Sequence, residues 1–471
     1  MTGSCLTRAS SLCLTLGTAC LMGALAGCGG GNPGAAAGAP VNTQANAPAS
    51  TSVATAIAAS NITQVSGTTT TRSGAPPTDL QFVRYDISRS MSYSYGFSIY
   101  DYDGDGKPDI SYFDSYTSGR PRLRSSTGAI GHIMWNGGQD EVIVNNETFA
   151  FTTASNPDEF LFERHVPMDV NGRGLMDIVG VSNSHGAVVA YLNPGVHGQP
   201  WTRRVLSSVT PGAVNLTVAD VNGDGKPDVI VAMRSNSGAS GAQTVGIAWL
   251  ANTGSPTGEW IYHTIDTTPG HFADPRTVQA ADIKQDGKIE VVTTDAVTGV
   301  LAWYEQMSPD NWKRHVIPGV NTANAHFGRV LDMDGDGAPD ILVPVYQGVA
   351  WVRNVNKGAS WEVHPIASFI DQNWRSIVTE VAAGDLHHDG TLDVVFSVGS
   401  LSGGVPSDHL GGLYIAHQLA SRWQISQVYA TENSVVGVQL ADMDASGFLD
   451  IVSNTEYQQN TVTLWKNEMG N

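Results

Sequence analysis

The chain has 471 residues and a formal net charge of −19, with 44 Asp and Glu against 25 Lys and Arg. Such an acidic chain is a poor partner for nucleic acid or an anionic membrane surface, because attraction to phosphate needs the opposite sign. No cysteine lies beyond residue 28, so no disulfide can staple the remainder, and no later stretch approaches the roughly 18 unbroken apolar residues of a membrane helix.

Residues 1–27 read as a signal peptide: Arg8 sits in a short polar head, and an apolar run from Leu12 to Ala26 is too short to span and stay. The run closes on Leu25-Ala26-Gly27-Cys28. This resembles the lipobox of a bacterial lipoprotein signal, which implies cleavage before Cys28 and lipidation of its thiol. An ordinary secretory signal with an incidental cysteine is the alternative. In that family Gly29, rather than Asp, after the cysteine implies export to an outer membrane where the host has one. The expected location is therefore the cell envelope or surface, with membrane contact through the lipid anchor only. Residues 28–78 carry no charge before Arg72 and little bulky apolar content, and read as a disordered tether. Residues 79–471 are ample for a large core.

Within that domain one stretch recurs. "DYDGDGKPDI" starts at Asp101, and copies start at Asp169, Asp220, Asp282, Asp332, Asp385 and Asp442, at intervals of 50 to 68 residues. A short apolar strand precedes each copy and a β-branched run follows it, as in "DVIVAM" and "DILVPV". A third strand carries an aromatic residue ("VGIAWLANTG", "GVAWVRN"), and a fourth reads "EWIYHTI" or "SWEVHPI". Four short strands per repeat, without helical periodicity, predict an all-β fold: a seven-bladed β-propeller of four-stranded blades. The last repeat lacks a fourth strand, and "DLQFVRYDI" from Asp79 fits that pattern, so the N-terminal strand is expected to complete the last blade.

The repeated loop offers side-chain oxygens at positions 1, 3 and 5, a backbone carbonyl at 7 and a further carboxylate at 9, with Gly at 6 for the turn. Hard cations such as Ca²⁺ take this kind of oxygen set. The ion would relieve the repulsion between acids packed so closely. Three loops are complete: Asp101, Asp103, Asp105, Lys107 and Asp109; Asp220, Asn222, Asp224, Lys226 and Asp228; Asp332, Asp334, Asp336, Ala338 and Asp340. A fourth set is Asp442, Asp444, Ser446 and Asp450. Three to four Ca²⁺ sites are expected, and metal-free Asp-Gly turns are the alternative. In the loop at Asp169, Arg173 stands at position 5; in that at Asp282, Lys284 stands at position 3. Either cation could replace the ion, and both loops are expected empty. The loop at Asp385 has His387 at position 3, a poor calcium ligand. About half of the 44 acids stand in these loops, so the net charge says little about partners.

The aspartate loops followed by "PDI" or "PDV", together with the "GVAW" strands, resemble the FG-GAP/VCBS repeat family, the calcium-binding blade type of integrin α-subunit propellers. The resemblance covers roughly residues 79–471 and is closest to bacterial lipoproteins of the VCBS type. The Gly-Ala-Pro that the family carries after its second strand is missing. The resemblance implies calcium loops on one face of the disc and ligands on the other.

That other face would gather the links between blades, with Tyr93, Tyr95, His271, Phe272, Arg276, His326, Phe327, Arg329, Trp374 and Arg375. Aromatic faces beside Arg and His donors suit a glycan or an anionic sugar, although such aromatics also pack between blades. The reading favours a non-enzymatic surface module for adhesion or carbohydrate binding, with a glycan or protein ligand. The alternative is a carbohydrate-active enzyme, a polysaccharide lyase or hydrolase, with its site at the channel mouth. No nucleophile motif, zinc signature or separate carboxylate pair stands out.

Overall fold

The computed structural model describes residues 62–64 and most of 80–469. Residues 1–61, 65–79, 89–95, 103–105, 107, 114–129, 136–141, 146–161, 183–185, 197–200, 236–243, 256, 347, 369–375, 401–410, 420–421, 432–433, 457–460 and 470–471 lie outside the described residues. The expected signal peptide and Cys28 fall there.

The strands gather into antiparallel sheets that follow the repeat. The third sheet shows the plan: Ala213–Ala219, Asp228–Met233, Gly246–Ala251 and Ile261–Asp266 pair in chain order. Its second and third strands are buried along their whole length, because neighbouring sheets cover both faces. This is why "DVIVAM" and "GIAWLA" are nearly unbroken apolar runs rather than alternating ones. The fourth strand is outermost and half exposed, which admits its polar residues.

First strands of successive sheets lie side by side: Phe97–Tyr100, Phe162–Met168, Ala213–Ala219, Pro275–Ala281 and Arg329–Leu331 in turn, then Ser376–Gly384, then Ser434–Ala441, which returns to Phe97–Tyr100. The fold is an all-β propeller with four-stranded blades around a central channel. The sequence predicts seven blades of four strands each. Among the described residues six sheets have four strands and the remaining one has five. The extra strand is Ile62–Gln64, inside the segment read as tether, which runs parallel to Arg422–Ala430 on that sheet's outer edge.

In the last sheet Phe82–Ser88, from the N-terminal side, pairs antiparallel with Val462–Asn467. Arg84 lies opposite Trp465, with its guanidinium 5.3 Å from that ring and 4.7 Å from the ring of Tyr429. Other sheets use a histidine there: Trp249–His263, Trp303–His315 and Trp351–His364 are cross-strand pairs with stacked rings 4.2, 4.2 and 4.6 Å apart. The recurring third-strand aromatic is thus a packing element. Its strand opens on a glycine for a steric reason: a Cβ on Gly246, Gly348 or Gly412 would lie 2.1, 2.2 or 1.8 Å from a fourth-strand carbonyl oxygen.

Candidate functional site

Two sets of polar residues stand on the first strands: the aspartate loops where these strands finish, and a charged cluster inside the channel they line.

In each loop the first aspartate holds the turn. Asp220 accepts the backbone N–H of Gly223 and Asp224 on Oδ1 (2.8 and 3.1 Å) and that of Gly225 on Oδ2 (2.8 Å). Asp332 repeats this with Gly335, Asp336 and Gly337. The ninth-position carboxylate is buried and works as a brace. Asp228 accepts the N–H of Val221 and of Asn252, at 2.9 and 2.7 Å. Asp340 does the same with Met333 and Asn354, and Asp450 with Met443 and Asn467. Asp109 takes the N–H of Tyr102. Burial pushes the Asp450 carboxyl up to about 7 against the pull of its backbone hydrogen bonds, and raises Asp228 and Asp340 as well.

The asparagine at the end of the third strand continues the brace to the next blade, a role the sequence reading missed. Asn252 Nδ2 donates to the carbonyl of Val170, Asn354 Nδ2 to that of Ile283 and Asn467 Nδ2 to that of Leu386, each in the preceding loop, at 3.0 to 3.1 Å. Gln306 reaches Val221 in the same way. The recurring Asn in "ANTG", "VRNV" and "WKN" was the available signal.

Among the remaining carboxylates Asp334 and Asp336 are partly exposed and Asp444 is nearly enclosed. Donor oxygens of Asp332, Asp334 and Asp336 lie within 4.8 Å of one another, as do those of Asp442, Asp444 and Asp450. Carboxylate-only sets of this kind fit a hard cation such as Ca²⁺, which would neutralise their charge. In the third loop Asp220, Asn222 and Asp224 provide two carboxylates and an amide. Asp103, Asp105 and Lys107 lie outside the described residues. Protein cations already approach these groups: Lys226 pairs with Asp224 (2.9 Å), Arg353 with Asp334 and Asp336, and Lys466 with Asp444 (3.0 Å). Arg173 turns into its own loop, donating to Asn171, Asp177 and the Asn193 carbonyl. Lys284 pairs with Asp286 and Glu305, and hydrogen bonds from Lys284 and His315 push the Glu305 carboxyl down to about 2.

Along the axis a channel cavity of about 440 Å³ is lined by every first strand. Glu380 is buried there between two arginines from other sheets. Arg164 Nη1 donates to its Oε2 at 2.7 Å, and Arg329 Nη2 donates to its Oε1. The Arg164 guanidinium also lies over the Phe327 ring, 3.8 Å from its centroid. Arg276, almost fully buried, donates to Asp274 at 2.8 Å. His326 is buried against these groups; burial and the charges of Arg276, Arg164 and Arg234 hold its pKa well below the ordinary imidazole value.

The expected ligand-face residues therefore divide. Phe327 and Arg329 line the channel cavity, while Arg276 and His326 are buried close to one another without lining it. Phe272 packs in the core beside Tyr304, as interblade aromatics do. His271 stands apart from the channel, with its Nδ1 2.7 Å from Asp266, which also accepts the Tyr304 hydroxyl at 2.7 Å. Tyr93, Tyr95, Trp374 and Arg375 lie outside the described residues. Arg164 and Glu380 went unnoticed in the sequence. Each stands five residues before its loop's first aspartate, where other copies carry Asn215, Thr277 and Phe327, so a charge in that buried row was the signal.

The comparisons with known proteins agree with the repeat. A family model described as FG-GAP-like repeat matches residues 169–231 and 332–396. No curated protein matches the chain in sequence. Among solved structures, an Agrocybe aegerita lectin, described as recognising non-reducing terminal N-acetylglucosamine, is 14% identical. The match covers 81% of this chain and 91% of that one, with a TM-score of 0.44. A streptogramin B lyase is 11% identical over 84% of this chain and 100% of its own, with a TM-score of 0.49. A virginiamycin B lyase from Staphylococcus aureus is 9% identical over 82% and 99%, also with a TM-score of 0.49. Two stretches of this β-propeller, residues 169–231 and 332–396, are thus FG-GAP-like repeats.

Proposed function

We propose that the protein is an exported, lipid-anchored binding module, a ring of seven blades counting the five-stranded sheet, stiffened by Ca²⁺ in its aspartate loops. It takes an acidic glycan at the channel mouth. One observation carries the ligand class. In a chain of net charge −19, Arg164 and Arg329 line the channel with Arg276 and His326 buried nearby, and the acids Glu380 and Asp274 are already engaged. A desolvated cationic cluster of this kind favours a carboxylate or sulfate, and Arg329 is the arginine of the group with an exposed part. Calcium would compete with the Arg353 and Lys466 ion pairs. The Arg353 pairs are open to water, which screens them, so a divalent ion can displace them; the Lys466–Asp444 pair is more enclosed.

A second reading, a carbohydrate-active enzyme, draws on His271. Its ring is oriented by Asp266 and half exposed, which suits a general base. Purified protein incubated with acidic and neutral polysaccharides separates the readings. Retention of acidic chains without turnover, lost in Arg329→Ala, is the expected result. New unsaturated or reducing ends that vanish in His271→Ala would establish the enzyme instead. Equal retention of neutral chains would overturn the acidic-ligand reading.

A further inference from the structure

The loop at Asp385 departs from its siblings in a way that changes its metal chemistry. In four sheets a third-strand residue, Glu305, Arg353, His417 or Lys466, reaches the blade's own loop. In three of them it opposes the charge at the loop's third position. Glu305 meets Lys284 at 2.8 Å, the Arg353 guanidinium pairs with Asp334, and Lys466 meets Asp444 at 3.0 Å. In the sixth sheet this residue is His417, and it meets another imidazole, His387.

The two rings lie 3.9 Å apart, and both Nδ1 atoms converge on one buried carboxylate. His387 Nδ1 is 2.9 Å and His417 Nδ1 2.7 Å from Asp393 Oδ1. Asp393 is held in turn by the N–H groups of Leu386 and His387 on Oδ2. Behind the second ring, Asp389 Oδ2 lies 3.7 Å from His417 Nε2, on the side away from Asp393. A metal-ligating histidine is commonly oriented by a carboxylate at its far nitrogen. Both imidazoles keep a little exposure, 14% and 20% of the side chain, so the group is reachable from solvent.

We propose that His387, His417 and Asp393 form a site for a transition-metal dication of the zinc type, distinct from the calcium loops. Two imidazole nitrogens and one carboxylate oxygen match the ligand preference of Zn²⁺ and leave a fourth position for water. Calcium, which takes six to eight oxygens, is excluded by the same set. The donors need to spread by only about half an ångström to reach the spacing of tetrahedral ligands at ~2.0–2.1 Å from the ion.

The test uses the full chain without a polyhistidine tag, stripped with chelator and titrated with Zn²⁺ in excess calcium. One zinc per chain is expected, with affinity falling more than about tenfold in His417→Ala and in His387→Ala. Asp334→Ala should leave zinc binding intact. Co²⁺ in place of Zn²⁺ should give the visible absorption of a four-coordinate nitrogen and oxygen site, absent in the histidine variants. Where His417→Ala does not fold, His417→Gln, which keeps a donor towards Asp393, replaces it. A wild-type chain that takes up no zinc, or binding unchanged by both histidine substitutions, overturns the proposal.

Discussion

His165 shows at single-residue scale how much the interior dictates protonation. It is buried between the first two sheets, with Nε2 2.9 Å from Ser111 Oγ and 3.1 Å from the Ser111 carbonyl oxygen. Burial outweighs that backbone hydrogen bond, and with the charge of Arg164 it lowers the imidazole pKa to about 3. As pH falls through 6.5 the unfolded chain takes up a proton that the folded chain refuses until about pH 3. The His165 contribution therefore costs stability as pH falls, by up to about 1.4 kcal/mol per pH unit within that window. Buried acids such as Asp177, raised to about 6, act in the opposite direction. Their effect is common to wild type and variant. Unfolding free energies of wild type and His165→Leu, compared from pH 6.5 to 4.5, should diverge by roughly 2–3 kcal/mol, the wild type losing more. Parallel curves would show that the ring protonates in place.

At the scale of an element, the loop does two jobs that one sequence motif conceals. Positions 1 and 9 build the turn and brace neighbouring blades, and positions 3 and 5 carry the remaining charge. The division predicts unequal effects of similar substitutions. Asp334→Ala should remove one Ca²⁺ per chain and reduce the rise in melting temperature that calcium gives. Asp169→Ala should leave the calcium count unchanged, because Arg173 fills that loop. Equal losses of metal in the two variants would refute the division, and a melting curve indifferent to chelator would refute calcium itself.

The repeat of strands and loops was legible because each copy must satisfy the same burial and turn geometry, and seven copies repeat it. The ligand-face residues were half legible. Arg276, His326, Phe327 and Arg329 stand in the links and strand starts that the repeat marks. Arg164 and Glu380 meet only across the channel, 216 residues apart, and no local pattern carries that distance. His417 escaped for the same reason, since its partner loop begins 32 residues earlier at Asp385.

For the whole molecule, closure rests on Phe82–Ser88. Without it Val462–Asn467 would present an unpaired edge, and the Arg84 guanidinium would leave the Tyr429 and Trp465 rings. Deleting residues 80–88 should lower the melting temperature by several degrees and yield larger species by size-exclusion chromatography, whereas deleting 29–61 should do neither. A monomer of unchanged stability after the first deletion would mean that another element seals the ring.

That same pairing sets the order in which the chain can mature. The Asp86 carboxylate accepts the Thr463 hydroxyl across 377 residues of sequence, so this sheet joins strands far apart along the chain. Blades made of consecutive strands can assemble as they emerge. The last cannot, and the loop-closure entropy of so distant a pairing makes it the slow step. Until Val462–Asn467 has been made, Phe82–Ser88 waits without the strand it pairs with in the folded ring.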